Sequence, residues 1–194
     1  MKLKRTGHKG GILMNYEEKT LSKKPIYKGN IIDVECWNVL LPNGKEATRD
    51  VVIHPGASVV IPITDKGEVY LVRQFRKPID QESLEIPAGK LDKGEDPLAC
   101  AKRELKEETG LDAKDIQHLI DIHSTPGFSN EVLHMYVAKE LYEGEACADE
   151  DEFISAEKYP INTLVDMVVK NEITDAKTII GILMADKIIK GEIL

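Results

Sequence analysis

The chain is poor in cysteine and has fewer basic residues than acidic ones, 26 against 34, and each shortage removes a class of protein. Its three cysteines among 194 residues, Cys36, Cys100 and Cys147, lie far apart and form no CxxC pair. So sparse and odd a set is no disulfide framework; it suits reduced thiols in a cytoplasmic protein. The formal net charge is −8. Phosphate backbones need basic surfaces, so general nucleic-acid binding is excluded. No apolar run approaches the roughly 18 residues of a membrane span. The opening stretch MKLKRTGHKGGILMNYEEKT is basic but has only a four-residue apolar run, so it does not read as a signal peptide. Internal repeats and low-complexity tracts are missing as well.

What is present is a chain that is 42% hydrophobic and 31% charged, enough for one globular domain with an appendage. The segment IYKGNIIDVECWNVLLPNGKEATRDVVIHPG alternates apolar and polar positions and turns at Pro42–Gly44, as short strands do. We read residues 1–50 as an N-terminal antiparallel β region and residues 51–194 as the main domain. ASVVIPITDKGEVYLVRQF reads as a hairpin around Asp65-Lys66-Gly67. Asp96-Pro97 opens a helix that Gly110 closes. Strands are expected at Ile116–Ile122, Val132–Ala138 and Phe153–Ala156, and helices near Ile161–Asn171 and Asp175–Lys190. Mixed strands with few helices predict a layered α/β or α+β fold.

The helix before Gly110 ends in RELKEETGL. Glu104 and Glu108 share a face at i,i+4, where like charges repel by about 0.2–0.5 kcal/mol. The C-terminal turn also carries the negative pole of the helix, which disfavours an anion by about 0.3–1 kcal/mol. Hard carboxylate oxygens clustered in this way are what Mg²⁺ or Mn²⁺ prefers, and an ion would offset both penalties from outside the chain. A solvated acidic face is the other reading, and helix chemistry alone leaves both open.

The spacing around the helix carries more information. From Gly89 the chain runs five residues to Glu95, then seven more to Arg103-Glu104-Leu105-x-Glu107-Glu108-x-Gly110-Leu111. Every fixed position of the Nudix box, GX5EX7REUXEEXGU with U aliphatic, is filled, and the sequence resembles the Nudix hydrolase family. LEIPAGKLDKGE, VRQFRKP, STPGFSNE and DAKTIIGILMA are similar to its ADP-ribose pyrophosphatase branch, as is Pro126, fifteen residues beyond Leu111. The likeness covers nearly everything after residue 25.

That resemblance implies an α/β/α sandwich with a mixed sheet and metal-dependent hydrolysis of ADP-ribose to AMP and ribose 5-phosphate. It implies two or three Mg²⁺ or Mn²⁺ ions held by Glu104, Glu108 and the carbonyl of Ala88, with Glu95 and Arg103 as the supporting pair. Arg103 and Glu107 can also pair at i,i+4. Arg76 resembles the arginine that grips phosphate or ribose, and Glu85 an acid that contacts substrate or water. Arg49 stands where relatives reach the adenine across a homodimer interface made by the N-terminal region. The catalytic base falls in ACADEDEFISAE, at Glu152, with Glu150 the second choice.

Other residues have plainer readings. Trp37 could stack on adenine but suits a strand core; Arg73 is a surface or pairing charge; Cys100 is a small helix-packing residue. His123 and His134 flank the STPGFSN loop as structural histidines, with a zinc site the alternative. Hydrolysis of another sugar nucleotide or of NADH, or nucleotide binding without catalysis, are the competing functions. A non-catalytic module would be expected to have lost acids of the box, and here all are present.

Overall fold

A computed structural model describes residues 15–144 and 154–194. The chain divides into two compact units, residues 1–52 and 53–194.

The first unit is a three-stranded sheet of β1 (Lys19–Lys28), β2 (Asp33–Leu40) and β3 (Glu46–Ile53), hydrogen-bonded in that order. The turn expected at Pro42–Gly44 is present, with Leu41 and Lys45 joined by a backbone hydrogen bond of 2.8 Å. Trp37 on β2 is half-buried. Its indole N–H donates to Glu35 at 2.5 Å, and the Lys23 ammonium lies 3.9 Å from the ring centroid. The indole is thereby occupied by a cation–π contact within its own sheet. Every residue of β1 is exposed.

In the second unit, β4 (Ala57–Pro62) is the organising strand, buried at all six positions. A strand covered on both faces reads as an unbroken apolar run, which is why ASVVIP does not alternate. It pairs in parallel with β9 (Val132–Glu143) and antiparallel with the short β7 (Ala88–Lys90). With β8 (Leu111–His123) beyond β9, the sheet order is β7-β4-β9-β8. A second sheet, β10-β5-β6, is built from β5 (Glu68–Arg76), β6 (Gln81–Glu85) and β10 (Ser155–Pro160). The β4–β5 hairpin turns at Asp65-Lys66-Gly67 as expected, closed by Gly67 N–H to Thr64 C=O at 2.9 Å.

Helix α1 (Pro97–Thr109) covers one face of the mixed sheet, packing Ala101 and Leu105 against Val60, Tyr136 and Ala138. Helices α2 (Ile161–Val169) and α3 (Ala176–Ile189) cover the other face, where Leu164, Ile182 and Ala185 meet Val59, Ile61, Met135 and Val137. This is the α/β/α sandwich with a mixed sheet that the resemblance implies. Leu105 is fully buried, so truncation to Ala would cost about 2–5 kcal/mol.

Three strands differ in extent from the sequence reading. β8 begins at Leu111, five residues before the expected start, and β9 runs five residues past Ala138. Both extensions mix charged residues with Leu111, Ala113 and Leu141, which pack against the core under α1, and cross-strand pairing from Leu111↔Glu143 onward makes them strands. β10 is shifted to Ser155–Pro160, where it pairs with β5.

Candidate active site

The N-terminus of α1 is set as the sequence predicts. Asp96 accepts hydrogen bonds from the amides of Leu98 and Ala99 at 3.0 and 3.1 Å, with Pro97 at the first helical position. At the other end Gly110 takes a left-handed φ of 70° and donates to the Lys106 carbonyl. A residue without a β-carbon adopts that conformation at little cost. The helix therefore starts and stops so that its last turns lie beside β7.

The carboxylates there are organised from within the chain to a greater degree than the sequence reading expects. Arg103 donates from Nε and one terminal nitrogen to the two oxygens of Glu95, each at 3.0 Å. Its other terminal nitrogen reaches Glu104 at 2.6 Å and Glu107 at 2.9 Å. The guanidinium also donates to the Lys90 carbonyl at 3.3 Å, tying α1 to the end of β7. This arginine offsets part of the repulsion that helix spacing alone leaves uncompensated. Its hydrogen bond holds Glu95 down at about pKa 2. The hydrogen bonds that Arg103 donates to Glu95, outweighing the opposing effect of burial, raise its own pKa above the ordinary value.

Glu104 is 8% exposed, and its carboxylate lies against the backbone of Gly89 so closely that a β-carbon on residue 89 would overlap it. Glu108 accepts a hydrogen bond from the Ala88 amide at 3.0 Å. Within a strand the N–H and C=O of one residue point to the same side. The Ala88 carbonyl therefore faces outward from β4, on the side where Glu108 stands. Two carboxylates and a peptide oxygen at the edge of β7 make an all-oxygen set, the chemistry that suits Mg²⁺ or Mn²⁺. Cys100, fully buried, packs its sulfur 3.5 Å from the Gly89 carbonyl, and burial pushes its thiol up to about 11. It is a packing residue, as expected.

A second cluster faces β7 across a cleft of about 350 Å³. Arg76, at the end of β5, makes a two-pronged pair with Glu85 at 2.8 and 2.7 Å. The ammonium of Lys177 reaches the same carboxylate at 2.5 Å and Asp175 at 3.0 Å. Asp175 caps α3 through the Thr178 amide and hydroxyl, and that hydroxyl accepts from the Ile86 amide at 2.9 Å. Glu85 is 3% exposed. Burial alone would raise its pKa, but hydrogen bonds and charge from Arg76 and Lys177 hold it at about 2. It stays ionised and keeps two cations aimed along the cleft wall.

Arg76, Lys177, Asp175 and Ala176 also line an adjoining cleft of about 410 Å³ beside Pro78, Ile79 and Ser83. On the far side of the first cleft stand His54, Ser124 and Glu131. His54 Nδ1 lies 3.3 Å from Glu131, whose other oxygen accepts from the Ser124 hydroxyl.

The structure thus brings together Arg76, Glu85, Ala88, Gly89, Glu95, Arg103, Glu104, Glu107, Glu108 and Gly110 of the sequence-predicted residues. Arg49 lies in the N-terminal unit, paired with Glu18 at 2.6 Å. Arg73 pairs with Glu157 at 2.6 Å, as a surface charge would. Glu150 and Glu152 lie outside the described residues. Lys177, Asp175, Glu131 and His54 were not singled out from sequence; the only signal for the first two was a cap acid and a cation inside DAKTIIGILMA.

A helix ending in carboxylates beside a glycine edge, opposite an arginine–lysine wall, defines a class, and family-level comparison agrees. The NUDIX domain model matches residues 52–180, and the chain belongs to the Nudix family of hydrolases. Among individual relatives, an ADP-ribose pyrophosphatase of Bacillus subtilis is 43% identical over 168 residues, covering 86% of this chain and 91% of its own. A methanol dehydrogenase activator of Bacillus methanolicus is 41% identical over 169 residues, again 86% and 91%. The crystal structure of an ADP compounds hydrolase superposes with a TM-score of 0.80 at 23% identity, covering 91% of this chain and 96% of the other, a likeness of fold.

Proposed function

We propose that this enzyme hydrolyses the pyrophosphate bond of ADP-ribose, giving AMP and ribose 5-phosphate, with two or three Mg²⁺ or Mn²⁺ ions. The observation that carries the reading is a cleft in which Ala88 and Gly89, the backbone on which Glu104 and Glu108 rest, face a cationic wall at Arg76 and Lys177. A nucleoside diphosphate linked to a sugar has a charged centre and two bulky ends, and the two adjoining clefts on either side of Arg76 and Lys177 offer room for both. The name of the Bacillus subtilis relative supports ADP-ribose as the substrate.

In this reading Glu104, Glu108 and the Ala88 carbonyl hold the ions, which when bound neutralise the pyrophosphate and make water a competent nucleophile at neutral pH. Arg76 and Lys177 grip phosphate or ribose oxygens, and Glu85 keeps both aimed. Arg103 positions Glu104, and Glu95 positions Arg103. Glu152 accepts the proton of the attacking water, with Glu150 the alternative. Residues 1–50 form a homodimer in the cytoplasm, and Arg49 reaches the partner's adenine. The fully exposed β1, with Leu21, Ile26 and Tyr27 bare on it, supports such an interface. Sedimentation at micromolar concentration tests it, and a monomer counts against it.

A panel of ADP-ribose, ADP-glucose, GDP-mannose and NADH with Mg²⁺, products identified, tests the substrate. ADP-ribose should turn over fastest, to AMP. Equal rates on all four defeat the assignment, and binding without turnover would favour the non-catalytic reading.

A further inference from the structure

The far edge of the mixed sheet carries a cluster that the hydrolase site does not use. On β8 and β9, Asp121 lies opposite His134, and His118 lies opposite Tyr136. Residues three apart in a regular strand point to opposite faces. Here the register shifts between His118 and Ile120, and the extra residue of this bulge turns His118 onto the face of Asp121. His134 and Tyr136, two apart on β9, share that face as well. His118 Nε2 and His134 Nδ1 each come to 2.8 Å from Asp121 Oδ1. One ligand atom from each of the three residues lies within 4.8 Å of the others. The His118 ring is braced edge-on against Tyr136, with centroids 5.4 Å apart. A hydrogen bond from His118, opposed by burial and seconded by one from His134, holds Asp121 below the ordinary carboxylate range. The histidine that joins His134 is therefore His118; His123 takes no part in the cluster.

We propose that His118, Asp121 and His134 form a second cation site, for a divalent transition ion such as Zn²⁺. Two imidazole nitrogens and a carboxylate oxygen suit zinc and its neighbours, whereas Mg²⁺ takes oxygen ligands. The set therefore discriminates against the ion of the carboxylate helix. Tetrahedral zinc with bonds of about 2.0–2.2 Å places its ligand atoms roughly 3.3–3.5 Å apart. The ring nitrogens need to draw back from Asp121 by about half an ångström, within reach of small side-chain rotations. Neutral imidazole binds through a lone pair, so each ring carries its proton on the nitrogen away from the ion. The side chains are 49%, 52% and 25% exposed, which leaves the remaining position open to water. Sheet order puts β9 two strands from β7, about 10 Å at ordinary strand spacing, so the two cation sites are separate. The ion would pin β8 to β9 across the bulge and stabilise the folded chain by mass action.

Calorimetric titration of Zn²⁺ into metal-stripped, tag-free full-length protein at saturating Mg²⁺ tests the proposal. Wild type should take up one ion per chain. H118A and H134A should weaken binding at least tenfold, while H123A keeps it. D121N, nearly unchanged in shape, should weaken binding too, and so decides the matter if a histidine variant fails to fold. Zn²⁺ should raise the melting temperature of wild type and H123A but not of H134A. Absence of uptake by wild type, or an isotherm unchanged in H118A or D121N, overturns the proposal.

Discussion

The carboxylate of Glu104 occupies the space that a β-carbon on Gly89 would need. Fifteen residues apart in sequence, the two are complementary in shape. The glycine at the edge of β7 lets an acid from α1 come to rest on the backbone, and Arg103 holds that acid from the other side at 2.6 Å.

Gly89→Ala should consequently displace Glu104 without unfolding the domain. Turnover should fall ten- to hundredfold with a higher Mg²⁺ requirement, since misplacing a metal-binding carboxylate usually costs that much. Circular dichroism and a Mg²⁺ titration of the rate would check this. Unaltered Mg²⁺ dependence would separate Gly89 from the ion site.

Glu104→Gln and Glu108→Gln remove the anionic ligands themselves. Each should cut kcat by about 10²–10³-fold, equivalent to several kcal/mol of lost charge stabilisation. Each should also abolish the melting-temperature rise that Mg²⁺ with a non-hydrolysable ADP-ribose analogue gives to wild type. Near-normal turnover at saturating Mg²⁺ would remove these residues from the site.

Lys177→Met leaves the Arg76–Glu85 pair in place but takes one cation from the cleft wall. KM should rise about tenfold or more, with kcat changed less, because a charge-assisted hydrogen bond to phosphate contributes about 1.5–3 kcal/mol. Steady-state kinetics on ADP-ribose would decide it, and an unmoved KM would show that Lys177 serves only to hold Glu85.

Glu85 makes stability depend on pH in a defined direction. Its pKa in the folded protein is about 2, below the ordinary value of 4.5. Folding therefore favours the ionised form, and the contribution is complete above about pH 4.5. It is lost as pH falls toward 2, when the unfolded chain takes up the proton first. The loss is on the order of 3 kcal/mol. Denaturant midpoints between pH 5 and pH 2.5 should fall more steeply for wild type than for Glu85→Gln. Parallel curves would contradict the assignment.

For the base, Glu152→Gln should abolish turnover while ADP-ribose binding by calorimetry survives. Should Glu150→Gln do so instead, the base is Glu150.

Much of the site could be read from the chain because α1 is a local structure. Caps at Asp96 and Gly110 delimit the helix, and its 3.6-residue period decides which glutamates share a face. The pairs Arg103–Glu95 and Arg103–Glu107 span eight and four residues. The β4–β5 hairpin was legible in the same way, from its turn at Asp65-Lys66-Gly67. The extensions of β8 and β9 were not, since their mixed residues show no clear alternation and pairing with each other makes them strands.

By itself, then, the sequence determined the carboxylate helix with its caps and the layered class of fold, which follow from short-range geometry and spacing, while the place of Gly89 beside its acids was implied by the family resemblance. Only the tertiary structure decided that Lys177 would reach Glu85, 92 residues away, or that a bulge in β8 would bring His118 beside Asp121 and His134. Contacts of that kind depend on sheet order and strand register. A one-residue slip in register sends a side chain to the opposite face, and no local pattern in the sequence records it.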